Sequence, residues 1–243
     1  MTSQSPTIRQ IACLLTALGA SVAISACGQS AERPPAAASS ASSQPPSATN
    51  VPAAAAPAAY DIGRVDNVKD DFPAGFAPQA EPPKALAQHD IDSSGITAFT
   101  KAQIDPPQCR AMVIPPNVEP SVGAQAAGVR GEGDQGNIYV VALRLPQPVP
   151  AGQAAAGCDR VTLSGDPQAT GTAERIPAPH IDGLNTTGVK LSADASDDPD
   201  YIYTAALDDQ TSVVVMGSTD TQLNPQQLLS DLLVKATSAV RGQ

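Results

Sequence analysis

The sequence predicts an α+β domain, an antiparallel β-sheet packed on one face by a C-terminal amphipathic helix and shorter helices. Three observations carry this. Paired apolar runs flank short polar loops, at Ala126 to Arg130 with Ile138 to Leu145 and at Tyr201 to Leu207 with Thr211 to Met216. The run Val213-Val214-Val215-Met216 is apolar on both faces, which suits a central strand or one under a helix. Leu228, Leu229, Leu232, Leu233, Ala236 and Val240 recur with helical period near the C-terminal end.

In chain order, the domain is expected to begin between Tyr60 and Phe72, with Phe72-Pro73-Ala74-Gly75-Phe76 as a lead-in turn. Lys84 to His89 reads as a short edge strand and Ser94 to Ile104 as a weak helix or turn. Asp105-Pro106-Pro107-Gln108-Cys109 reads as a helix start, Asp at the cap and Pro in the first turn, ended by Pro115-Pro116. Gly131 to Asn137 is the first hairpin loop and Asp208-Asp209-Gln210 the second. Between them Asp159 to Leu163, Glu174 to Ile176 and Gly188 to Leu191 are shorter strand candidates. The last helix has Asn224 as its N-cap and Pro225 at its first position. Asp231 and Lys235 are expected to pair on its polar side, and Arg241 to meet its C-terminal dipole.

The N-terminal segment speaks to location. Arg9 precedes an apolar run, Ile11 to Ile24, that is too short and too rich in small residues to span a membrane. It closes on Ile24-Ser25-Ala26-Cys27, which reads as a bacterial lipobox: a branched apolar residue, two small residues and a Cys. In that reading residues 1–26 are a signal peptide and Cys27 is the lipidation site. The alternative is an ordinary secretory signal cut after Ala26 or an earlier small residue. Acyl chains contribute about 0.8 kcal/mol per buried methylene, so several on one Cys give a stable membrane anchor. Residues 27–59 are rich in Ala, Ser and Pro and carry too few large apolar side chains to offset ordering entropy. They read as a disordered tether reaching on the order of 100 Å when extended. Its Ser and Thr residues are either O-glycan acceptors or plain solvated linker. Residues 60–243 remain for one domain with a sizeable core.

Composition excludes some functions. The net charge is −10, with 14 basic and 24 acidic side chains, and Arg9 would leave with the leader. Phosphate recognition needs a basic footprint, so no nucleic-acid partner is expected. The chain has no Trp and 3% aromatic residues, which disfavours stacking of sugars or bases. Of four Cys, Cys13 falls in the leader and Cys27 in the lipobox, leaving Cys109 and Cys158 as a disulfide in an oxidising compartment. A loop of roughly 50 residues makes that bond worth about 4 kcal/mol in the chain-entropy description.

Catalytic signatures are thin: no HExxH, Walker A loop or GxSxG is present. Gly217-Ser218 after an apolar strand superficially resembles a nucleophile elbow, but Thr219-Asp220 follows where small residues belong. His180, with Asp182 close by in an irregular segment, is the candidate ligand-cleft or pH-responsive pair, against the plainer reading of a surface loop. His89 stands beside Asp90 and Asp92 without further nitrogen or sulfur ligands. Asp194, Asp197, Asp198 and Asp200 lack EF-hand spacing, and with Asp208 and Asp209 they read as solvated turns. No metal, cofactor or catalytic residue is assigned.

The lipobox, the tether, Phe72 to Phe76, Asp105 to Cys109, and Ile138-Tyr139-Val140-Val141-Ala142 followed by Cys158 together resemble the uncharacterised cell-envelope lipoproteins of mycobacteria and other actinobacteria. More distantly, they resemble the extracellular sensor domain of PknH-type serine/threonine kinases. The resemblance covers most of the chain beyond Asp70. It implies an α+β, sensor-like, secreted and disulfide-bonded domain with a cleft and without known catalysis. Those sensor domains carry two disulfides where this chain has Cys for one, so no cleft residue is carried over. The expected role is a lipid-anchored, extracytoplasmic, non-enzymatic domain that binds an envelope lipid, glycan or protein partner. The alternatives are an envelope hydrolase using Ser218 with His180 or paired Asp carboxylates, and a purely structural cell-wall lipoprotein.

Overall fold

The computed structural model describes residues 60–94, 100–152, 154–165 and 170–243. The expected signal peptide, the tether with Cys27, and residues 95–99 of the expected turn lie outside the described residues. The strands are β1 (Gln79–Ala85), β2 (Gln103–Asp105), β3 (Gln125–Gly133), β4 (Gly136–Arg144), β5 (Arg160–Ser164), β6 (Gly171–Ile176), β7 (Asn185–Ala193), β8 (Asp200–Ala206) and β9 (Thr211–Thr219). They form one antiparallel sheet in the order β1-β3-β4-β9-β8-β7-β6-β5-β2. The α-helices are α1 (Gln88–Asp92), α2 (Arg110–Val113) and α3 (Pro225–Arg241), with 3₁₀ turns between elements.

Alternation along each strand divides the core between the two faces of the sheet. In β4 and β9, Ile138, Val140, Ala142, Val213 and Val215 point to one face and pack under Leu229, Leu232, Leu233, Ala236 and Val240 of α3. Further along, the opposite face of β5, β6 and β7 presents Val161, Leu163, Ala173, Val189 and Leu191 to Met112, Val113 and Ile114. Cys109 and Cys158 are joined there, with their Cα atoms 5.3 Å apart. The helices therefore do not all cover one face. The long helix covers one, and the short helix α2 covers the other.

One element of the first core matches neither helical nor strand periodicity. Ile62–Asp71 is a ten-residue 3₁₀ helix, and its buried residues Ile62, Val65 and Val68 fall every third position. Three residues per turn place these side chains in one column. That column packs into the core formed with α3, and Lys235 Nζ meets Asp71 Oδ1 at 2.6 Å across the junction. The Asp61 carboxylate accepts from Gly63 N and caps the start. After it, Phe72 packs over Gly131, where a Cβ would lie 2.5 Å from the ring. Phe76 then bridges to Gly133, completing the lead-in turn.

Several local readings need correction. The edge strand is Gln79–Ala85, not Lys84 to His89, because the Asp90 carboxylate accepts from Ala87 N and turns the following residues into α1. Asp105 ends β2 opposite Thr162 rather than capping a helix, since a residue before Pro favours extended backbone. The Asp105-Pro106 peptide is cis, and the 3₁₀ turn starts at Pro107. Asn224 holds the N-cap position of α3 in a left-handed conformation (φ 50°) and makes no side-chain cap bond. A 3₁₀ turn capped by Asp220 runs directly into α3, and Asn tolerates the left-handed link. Asp231 accepts from Gln227 rather than pairing with Lys235, which reaches Asp71. The first hairpin is tighter than expected, its ladder running to Gly133 opposite Gly136.

Both sheet edges are blunted. β1 is exposed and carries Pro82 and Pro83 where its pairing with β3 breaks register, and β2 is three residues long. Pro and short length each discourage addition of a further strand.

Candidate functional site

Among the described residues, no long helix lies over the face of β3, β4 and β9 turned away from α3. Ala126 and Gly128 of β3, Val141 and Leu143 of β4, and Val214 and Met216 of β9 line the floor of a cleft there. Antiparallel register sets these side chains in adjacent rows: Ala126 opposite Leu143, Gly128 opposite Val141, and Val141 opposite Val214. The segment from β1 through α1 and the turn at Val118 and Pro120 form the walls. The volume is about 560 Å³, within the roughly 300–1,000 Å³ of small-molecule clefts.

Polar groups are confined to the rim. Lys84 Nζ meets Asp90 Oδ1 at 2.7 Å. The lysine holds the Asp90 carboxyl below its usual range through this hydrogen bond, aided by Ala87 N–H. In return Asp90 raises the Lys84 ammonium. At the other end Arg130 lies 3.6 Å from Glu132 and donates to Gln79. Tyr139 supplies a ring beside Arg130. The cleft is thus apolar at its base and carries paired charges at its edge.

A second hollow of about 360 Å³ lies near the disulfide, lined by Met112, Arg175, Asn185, Thr186 and Thr187 among others. It is more polar. Arg175 is held by Asp159 at 3.7 Å and donates to Cys158 O. Thr187 Oγ1 and Thr204 Oγ1 are hydrogen-bonded at 2.6 Å.

The residues singled out in the sequence lie elsewhere. His180 Nε2 and Asp182 Oδ1 meet at 3.1 Å on an exposed loop, with side chains 88% and 99% exposed, and line neither hollow. Ser218 and His180 sit at opposite ends of the sheet. Ser218 pairs with Asn137 at one end of β9, whereas the loop bearing His180 leads into β7 at the level of Ala206 and Ser212. Six residues of strand separate those levels, about 20 Å, so the two cannot form a dyad. Asp208 accepts from Gln210 N and Thr211 N and shapes the second hairpin turn. Among the described residues no group of three or more His, Cys, Asp or Glu is placed to hold a metal. No helix among them is long and apolar enough to cross a membrane.

One signal in the sequence points to the cleft residues. Val213 to Met216 is apolar on both faces: Val213 and Val215 face α3, and Val214 and Met216 line the cleft.

The fold and its geometry define an α+β domain with a nine-stranded antiparallel sheet, cores on both faces and an apolar cleft on the face of β3, β4 and β9 turned away from α3. The chain belongs to the family described as a domain of unknown function (DUF5642), which matches residues 61–241. Its fold is similar to the X-ray structure of an uncharacterised protein from Mycobacterium smegmatis, the Rv0999 ortholog. The TM-score is 0.55 at 21% identity, covering 76% of this chain and 98% of that one. No curated protein matches the chain.

Proposed function

We propose that this protein is a non-enzymatic binding domain of the cell envelope, held at the extracytoplasmic face of the membrane by lipid on Cys27, and that the cleft over β3, β4 and β9 receives its ligand. The observation that carries this reading is the cleft itself. Its base is built of aliphatic side chains that water solvates poorly, while its two cations, Lys84 and Arg130, are paired with carboxylates at the rim. Burying apolar surface contributes about 25 cal/mol per Å², so an apolar ligand gains most by displacing water there. The lipobox Ile24-Ser25-Ala26-Cys27 supports the anchor, and the buried Cys109–Cys158 bond suits an oxidising compartment.

Native mass spectrometry of the protein purified gently from a mycobacterial host tests the binding role. The expected result is an added mass that is released on denaturation, and a bare mass contradicts it. Cys27→Ala tests the anchor separately. The variant is expected in the soluble fraction while the wild type stays with membranes.

A further inference from the structure

We infer that the ligand of this cleft is a slender, uncharged amphiphile, one flexible acyl chain carrying a neutral hydroxylated or ester head. The inference rests on the reading of the cleft as a binding site and specifies its ligand class. Charge at the rim carries it. The ionic residues lining the cleft are two carboxylates, Glu81 and Asp90, and two cations, Lys84 and Arg130, so the rim is neutral as a whole. Lys84 is engaged by Asp90 at 2.7 Å, and Arg130 by Glu132 at 3.6 Å and by Gln79. An anionic head group finds no uncommitted cation and would have to displace a carboxylate, while the chain's net charge of −10 repels it at longer range. A neutral head can hydrogen-bond to the paired groups without breaking them.

Shape selects the tail. The floor runs from the Ala126–Leu143 pair to the Arg130–Tyr139 pair, four residues along each strand or about 14 Å. It is surfaced by short aliphatic side chains and by Met216, whose unbranched thioether adapts to an irregular partner. Tyr139 is the one ring among the lining residues, so flat rigid molecules find little to stack against. A flexible chain follows a pleated floor, whereas a fused ring system bridges it.

The test is a native mass spectrometry titration of the full-length chain with monoacylglycerols of ten to sixteen carbons, with palmitate at pH 8 and with cholesterol. Monoacylglycerol affinity is expected to rise roughly fourfold per added methylene until the cleft is filled. Palmitate and cholesterol are expected to bind at least tenfold more weakly than monopalmitoylglycerol. Val141→Phe and Ala126→Phe each fill the floor and are expected to weaken the monoacylglycerol at least tenfold. An unchanged melting temperature shows whether each variant is folded. If palmitate or cholesterol binds as well as the monoacylglycerol and either variant blocks it, the ligand class is wrong and the cleft reading stands. If no probe binds, or if folded variants bind undiminished, the cleft reading itself falls.

Discussion

The two halves of this sheet are stabilised by different means. In the β1-β3-β4-β9-β8 half, a long helix and a 3₁₀ column supply a broad aliphatic core on one face, and the other face stays partly open. In the β7-β6-β5-β2 half the strands shorten from β7 to the edge, and the cover is a few turns of chain held by a disulfide, on the opposite face. The first half has enough buried area to leave a surface free for binding. The second has a small core and adds a covalent link that constrains the unfolded chain. The helix-covered half is therefore where a ligand site can be left open at tolerable cost.

The largest way to break this contrast is to remove the covalent link. Cys109→Ala with Cys158→Ala is expected to cost about 4 kcal/mol, measured by urea unfolding. Hydrogen exchange in the double variant is expected to lose protection first in β5, β6 and β7 while β4 and β9 keep theirs. Uniform loss across the sheet would mean the halves are one cooperative unit.

Leu233→Ala attacks the other half. Leu233 is fully buried between α3 and the sheet, and truncations of this kind cost about 2–5 kcal/mol. Its effect on denaturant midpoint should persist when the disulfide is already reduced, because the two sites do not share a core cluster. A smaller loss is expected for Asn117→Ala. Asn117 donates to Ser212 Oγ at 2.8 Å and its backbone carbonyl accepts from the same hydroxyl, in a buried link between the turn before β3 and β9. Removing one side leaves the Ser212 hydroxyl short of a partner, at about 1–3 kcal/mol.

Titration of two β8 side chains probes the first half. Burial, aided by Tyr201, pushes the Tyr203 phenol up to about 12 from its ordinary value of 10.0. Native protein holds this proton where unfolded chain has lost it, so stability falls as pH rises between those values. Tyr203→Phe is expected to flatten that fall in a thermal-melt series. The smallest effect concerns Asp200, whose carboxyl burial shifts upward. Its contribution to stability likewise declines as pH rises through the shifted range, and Asp200→Asn is expected to lessen that decline.

Much of the first half was legible in the sequence because its elements are long and regular. The apolar face of α3, both hairpins and the two-faced strand at Val213 to Met216 follow from period and turn chemistry alone. The 3₁₀ helix was not, because a repeat of three matches neither the helical nor the strand period. Nor was β1, where consecutive prolines in an exposed edge hide the strand signal. The cleft escaped for a further reason. Its floor consists of ordinary aliphatic residues, and what makes it a site is that the helical cover falls on the other face. His180 and Asp182 attracted notice by residue type, yet their loop leaves them in solvent.

The most direct test of the open face is a methyl NMR titration of the chain with monopalmitoylglycerol. The account predicts shifts for Val141, Leu143 and Val214, which line the cleft, and none for Val161, Leu163 and Leu191 in the disulfide-clamped core. Shifts confined to the second set, or absent from both, would contradict it.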